Sequence, residues 1–181
     1  MGIFDLALTR QSVRAFTEEP VNRNDIMTCL KTARIAPSAC NSQPWKFVVV
    51  DDPEILKQAS AAIVDNGMGI NQFSQTAPVL IAVVEEEALL IRKGGKVPND
   101  KWAKFDLGHA TELFCLQAAE LGLGTCIMGA FNEEKMHEVL HVPADRHIYV
   151  MLALGHPSGT IREKTRNDLE TIYSFNQYGE A

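Results

Sequence analysis

Two clusters of cationic side chains stand near opposite ends of this sequence. The first is Arg10-Gln11-Ser12-Val13-Arg14, and the second is Lys164-Thr165-Arg166. Guanidinium and ammonium groups bind phosphate through charge-assisted hydrogen bonds, and arginine can do so with two parallel bonds. Each cluster alone is typical of an exposed surface. Taken together with the third segment described next, the two clusters suggest more than an exposed surface.

A third candidate segment runs from Ala36 to Trp45 and reads APSACNSQPW. Its two prolines fix the backbone at either end of a run of small and amide side chains. Such a segment allows backbone and amide groups to come close to a flat polar ligand. The alternative interpretation is a rigid loop that Trp45 anchors in the core.

Motifs for several other chemistries are missing from the sequence. The glycines at 67–69 and 122–124 do not complete a dinucleotide fingerprint between a strand and a helix. Neither the phosphate loop GxxxxGK[ST] nor the nucleophile elbow GxSxG occurs. His137 and His141 share a helix face, but no carboxylate completes a metal site, so we expect no metal.

Composition limits the class of protein. The 181 residues are 46% hydrophobic and 22% charged, with a net charge of −6, which predicts one folded domain spanning residues 1–181. An acidic chain without a concentrated basic face is not expected to bind nucleic acid or an acidic membrane. No apolar run is long enough to span a bilayer, and the N-terminus does not resemble a secretory signal. The four cysteines lack a CxxC pair, so we expect buried, reduced thiols and a cytoplasmic protein.

Hydrophobic periodicity predicts the elements that must position these groups. Strands are predicted at 46–50, 78–84, 125–128 and 148–154. Helices are predicted at 2–9, from Asn22 or Asn24 to about 36, at 53–64, at 102–121 and at 132–140. Strands that alternate with helices favour, on periodicity alone, a parallel α/β sheet. The polar tail after Pro157 has no core-facing side of its own.

Four segments together resemble the nitroreductase family of FMN-dependent oxidoreductases. They are RxSxR at 10–14, PSAxNxQPW at 37–45, AELGLGTCIMGAF at 119–131 and KxR at 164–166, in the family's order. The resemblance implies an α+β fold with a central mixed, largely antiparallel sheet flanked by helices, which replaces the parallel sheet expected above. It also implies a homodimer with FMN at the interface and a C-terminal segment that extends onto the partner subunit.

The resemblance also assigns FMN contacts to individual positions. Six positions match family residues that contact the FMN phosphate, the ribityl chain or the flavin. They are Arg10, Gln11, Ser12, Arg14, Lys164 and Arg166. Four further positions match the family's loop that approaches the flavin from the partner subunit. They are Pro37, Ser38, Ala39 and Asn41. The backbone N–H of Gly129 falls opposite flavin N5. Asn71 stands one position away from a further asparagine of the family pattern, so no role is assigned to it.

The activity that the resemblance implies is ping-pong transfer of hydride or electrons. NADH or NADPH would reduce the flavin at N5 and leave, and an electron-poor small molecule such as a nitroaromatic or a quinone would then enter the same cavity. Because the cofactor supplies the chemistry, no side chain is expected to be catalytic. The alternatives are a flavin-binding redox sensor or partner subunit without turnover, and a domain that binds a different phosphorylated ligand.

Residues 85–105 form a candidate lid over the acceptor cavity. Trp102 or Phe105 would stack on an aromatic acceptor, although simple anchoring of the helix in the core is the favoured interpretation. The lid contains no tyrosine, which disfavours a halotyrosine substrate. Cys40 and Cys126 lie in flavin-proximal motifs, where buried inert thiols are favoured over a redox-active pair.

Overall fold

A computed structural model of the chain describes residues 2–88, Gly94 and residues 100–179. Within them, four strands form one sheet: β1 (Trp45–Val50), β2 (Val79–Glu85), β3 (Gly124–Met128) and β4 (His147–Gly155). Their order is β1-β2-β4-β3, and each neighbouring pair is antiparallel. The parallel sheet expected from periodicity is therefore wrong, and the largely antiparallel sheet implied by the resemblance is confirmed.

Five α-helices flank this sheet in the described part of the chain. They are α1 (Ile3–Thr9), α2 (Arg23–Arg34), α3 (Pro53–Val64), α4 (Asp100–Glu120) and α5 (Glu133–Leu140). The side chains of Asn22, Asp52 and Asn132 accept hydrogen bonds from the first backbone N–H groups of α2, α3 and α5. None of these helices is long and apolar enough to cross a bilayer.

The prediction of parallel strands failed because a helix between two strands does not itself determine their relative direction. Residues 65–78, which follow α3 and include a short 3-10 turn at Gln72–Thr76, return the chain so that β2 runs opposite to β1. The apolar run in β2 is buried on both faces of the sheet.

The core lies on both faces of the sheet. Alternate residues of β2 face two clusters, one with α3 and α5 and the other with α2 and α4. Leu107 and Phe114 of α4 are fully buried in the second cluster, so this helix packs directly against the sheet. Residues 89–93 and 95–99, which hold much of the predicted lid, lie outside the described residues.

The chain before α2 is fixed between β3 and the segment that follows β4. The Val13 N–H donates to the Thr125 carbonyl at 2.8 Å, and the Ser158 N–H donates to the Ala15 carbonyl at 2.9 Å. Val13 packs directly against Gly124, where a Cβ would lie 2.6 Å from Cγ2 of Val13. A glycine at this position therefore permits the N-terminal segment to lie close to the sheet.

Gly124→Ala is expected to lower the free energy of unfolding by about 1–3 kcal/mol, because the new methyl group overpacks against Val13. Chemical denaturation measures the change. Adding Val13→Ala removes the colliding methyl groups, so the double variant should be more stable than the sum of the two single changes predicts. Strict additivity of the two changes would show that this collision is not the cause.

Candidate functional site

Both cationic clusters line one cavity of about 240 Å³. The lining residues are Arg10, Gln11, Ser12, Arg14, Arg162, Glu163, Lys164, Thr165 and Arg166. The structure thus brings together the two ends of the chain, as the hypothesis of a shared phosphate site requires. The lining carries five cationic side chains against one carboxylate, so its charge favours an anion. We name this space the cationic cavity.

Arg162 belongs to the cationic cavity although the sequence analysis missed it. Its Nη2 donates to the Ser12 carbonyl at 2.6 Å, and its backbone N–H donates to Oε1 of Gln11 at 3.1 Å. Gln11 Nε2 donates in turn to the Thr160 carbonyl at 3.4 Å. These bonds hold the two segments side by side. The alternate spacing of Arg162, Lys164 and Arg166 was the available signal, since alternate residues of an extended segment share a side.

Arg10 and Lys164 of the cavity lining also contact α4 and α1. Nε of Arg10 lies 3.3 Å from Oε1 of Glu112 in α4, and Lys164 Nζ donates to the Leu8 carbonyl. Desolvation, followed by the nearby charges of Arg10 and Arg166, holds the pKa of Lys164 below its ordinary value. A phosphate monoester, with a charge of about −1.5 to −2, would offset this repulsion. The residues present therefore fit the phosphate of FMN.

A chain of contacts leads from the cationic cavity to the end of β3. The Arg14 guanidinium carbon lies 6.0 Å from the centre of the Phe73 ring. Two residues earlier, Asn71 Nδ2 donates to the Ala130 carbonyl at 3.0 Å. Gly129 precedes Ala130, is exposed, and would have open space around a Cβ. The structure thus places Asn71, which the sequence left without a role, beside the backbone predicted to face the flavin.

The segment at 37–45 lies apart from the cationic cavity. None of its predicted contact residues, Pro37, Ser38, Ala39 and Asn41, is among the residues that line it. Trp45 packs against the core cluster of α2 and α4, which agrees with the anchor interpretation for that residue. Residues 37–43, in which Pro37, Cys40, Asn41 and Gln43 are exposed, are called the 37–43 loop below.

Three of the four cysteines are buried, and Cys40 is exposed in the 37–43 loop. The expectation of buried thiols is therefore wrong for Cys40, because the loop that carries it turns outward. Burial raises the pKa of Cys29 to about 12 and that of Cys115 to about 11. Burial also raises the pKa of Cys126, against the opposite effect of Arg14.

Trp102 and Phe105 form an exposed aromatic pair on α4. Their ring centroids are 6.3 Å apart, and the side chains are 47% and 63% exposed. The favoured expectation, that both anchor the helix in the core, is therefore wrong in the described structure. The apolar positions that anchor α4 are Ala103, Leu107, Ala110 and Phe114.

Known proteins resemble this chain in both sequence and fold. The family model described as the nitroreductase family matches residues 7–67 and 62–156. A protein of Archaeoglobus fulgidus named NADH dehydrogenase/NAD(P)H nitroreductase is 35% identical over 153 residues, covering 82% of either chain. An iodotyrosine deiodinase of Thermotoga neapolitana is 23% identical over 192 residues, covering 95% of this chain and 97% of its own.

A crystal structure described as an oxidoreductase containing FMN shares the fold. Its TM-score is 0.85 at 25% identity, and the match covers 100% of this chain and 95% of the other. Sequence and fold therefore agree along most of the chain, which belongs to the nitroreductase family.

Proposed function

We propose that this chain is an FMN-dependent NAD(P)H oxidoreductase that reduces an electron-poor small molecule. The main support for the proposal is that both cationic clusters line one cavity of a nitroreductase fold. The similarity to a protein named for NAD(P)H and to a structure named for FMN supports the choice of donor and cofactor.

The cationic cavity would hold the phosphate of FMN. Arg10, Lys164 and Arg166 would neutralise its charge, and Ser12 would donate a hydroxyl hydrogen bond beside them. Gln11 is held by Arg162 and Thr160, so its amide would meet the ribityl chain or the flavin in a fixed orientation.

Residues from Arg14 to Gly129 would hold the isoalloxazine, and the exposed Gly129 backbone would offer its N–H to N5. When bound, FMN would supply the hydride and electron transfer between NAD(P)H and the acceptor, in ping-pong order. No side chain of this chain needs to serve as an acid or base. The chain would instead bind the cofactor and orient it.

The site would be completed by a second copy of the chain. Pro37, Ser38, Ala39 and Asn41 lie outside the cationic cavity of their own chain, which supports a contact with the flavin of a partner. The tail after Pro157 is exposed, including its apolar side chains, which supports packing on that partner. The proposed assembly is a cytoplasmic homodimer with FMN at the interface.

The exposed pair of Trp102 and Phe105 supports a flat aromatic acceptor, because aromatic rings stack in offset or tilted geometry. Nitroaromatics and quinones satisfy that requirement. Iodotyrosine does as well, and the similarity to a deiodinase makes it a compound to include in the test.

The test is an anaerobic titration of the purified protein, followed by its visible spectrum. A flavin band that NADH or NADPH bleaches, and that a nitroaromatic, a quinone or iodotyrosine restores, would support the proposal and identify donor and acceptor. Bound flavin that neither nucleotide bleaches would favour a redox sensor or partner subunit. A colourless protein that added FMN does not restore would favour another phosphorylated ligand.

A further inference from the structure

We propose that Asp106 of α4 is a positioning residue that holds the 37–43 loop in the conformation in which it contacts the flavin. The inference rests on the proposed function, because it gives the loop its role at the cofactor. Asp106 is not expected to touch FMN or the acceptor. It would act through the backbone of Ala39.

The 37–43 loop has a backbone that the chain would not adopt without support. Cys40, Asn41 and Gln43 have φ values of 52°, 52° and 49°, in the left-handed region that L side chains rarely enter. Such conformations persist only where the surrounding structure enforces them, and they concentrate at functional sites. The loop must therefore be held by contacts at its base.

Some of those contacts come from the loop itself. Ser38 Oγ accepts from the Gln43 N–H at 3.0 Å, and the Asn41 N–H donates to the Ser38 carbonyl at 3.0 Å. Gln43 Nε2 donates to Oδ1 of Asn41 at 3.1 Å. These bonds set the shape of the loop but not its position relative to the rest of the protein.

Asp106 supplies a bond that fixes this position. Its two carboxylate oxygens, Oδ1 and Oδ2, accept from the Ala39 N–H at 3.2 and 3.1 Å. The residue is only 5% exposed, so the bond is sheltered from competing water. Leu107 and Ala110 of the same helix are fully buried, so the carboxylate is held on a rigid element.

The direction of this bond determines which groups the loop presents. Because the Ala39 N–H is held toward α4, the next two residues, Cys40 and Asn41, lie on the exposed side. Phe105, which precedes Asp106, is exposed on α4. Asp106 thus links the 37–43 loop to the helix that carries the proposed acceptor contact.

The test compares Asp106→Leu and Asp106→Asn with the wild-type protein. Leucine removes both acceptor oxygens at similar volume, and asparagine keeps one. For Asp106→Leu we expect FMN to bind about tenfold more weakly, the visible circular dichroism of bound flavin to change, and the acceptor KM to rise. Asp106→Asn should show the same changes to a smaller degree.

Thr111→Ala is the matched control, since Thr111 is also a buried polar residue of α4 and makes no bond to the loop. It is expected to lower stability while leaving the flavin spectrum and the FMN dissociation constant unchanged. An unchanged spectrum and affinity in Asp106→Leu would overturn the proposal, as would equal changes in Thr111→Ala.

If Asp106→Leu does not fold, the proposal is tested with Asp106→Asn instead. Hydrogen exchange at the Ala39 amide is then measured in that variant. Faster exchange of that amide, with an altered flavin spectrum, would support the proposal, and wild-type exchange with an unaltered spectrum would overturn it. Failure of the wild-type protein to bind FMN would instead overturn the proposed function, so the two failures are distinguishable.

Discussion

Replacing Arg10 and Arg166 together by alanine is expected to give a folded protein that binds FMN roughly 10²–10⁴ times more weakly, since each charge-assisted bond contributes about 1.5–3 kcal/mol. The two residues come from opposite ends of the chain and line the same cavity. Arg14, Arg162 and Lys164 remain in the double variant, so binding should be weakened rather than abolished.

Quenching of FMN fluorescence on titration with apoprotein measures this loss. Arg23→Ala is a suitable control, because Arg23 forms an exposed ion pair with Asp51 at 2.6 Å and lies outside the cationic cavity. It should leave the FMN dissociation constant unchanged. Stoichiometric FMN on the purified double variant would show that the phosphate is held elsewhere.

Arg10→Lys tests the geometry of the same site without changing its charge. Lysine cannot make the paired bonds of a guanidinium, so an intermediate loss of affinity is expected.

The sequence was informative where local chemistry determines local structure. The helix predicted at 53–64 is confirmed as α3, whose start is stabilised by the Asp52 cap and by Pro53 at the first helical position. The convergence of the two cationic clusters, in contrast, depended on the family resemblance. No periodicity relates Arg10 to Lys164, which the antiparallel sheet and the bonds of Arg162 bring together.

Features set by tertiary packing could not be predicted in this way. The exposure of Cys40 and Phe105 depends on which face of a loop or helix the core covers. One sequence feature could have drawn attention to Asp106. It is a carboxylate residue that stands among the buried positions of α4, between Ala103 and Ala110. A buried carboxylate needs a hydrogen-bond partner, but only the structure identifies that partner as the Ala39 N–H.

Deleting the chain after Arg166 is expected to convert the proposed homodimer into monomers and to weaken FMN binding. The segment after Arg166 leaves five large apolar side chains exposed in its own chain, at Leu169, Ile172, Tyr173, Phe175 and Tyr178. Burying each of them on a partner would contribute about 1.5–3 kcal/mol, before the entropic cost of ordering the tail. We therefore expect the dimer dissociation constant to rise by roughly 10³-fold or more.

Sedimentation velocity over a range of concentrations measures this change, and Asn167→Ala, a small change in the exposed tail, serves as the control. The truncated chain keeps all residues that line the cationic cavity. Loss of FMN on truncation would therefore arise from loss of the partner's 37–43 loop rather than of the phosphate contacts. A truncated chain that remains a dimer with full FMN occupancy would contradict the proposed role of the tail, because the interface would then be built from the folded body of the protein alone.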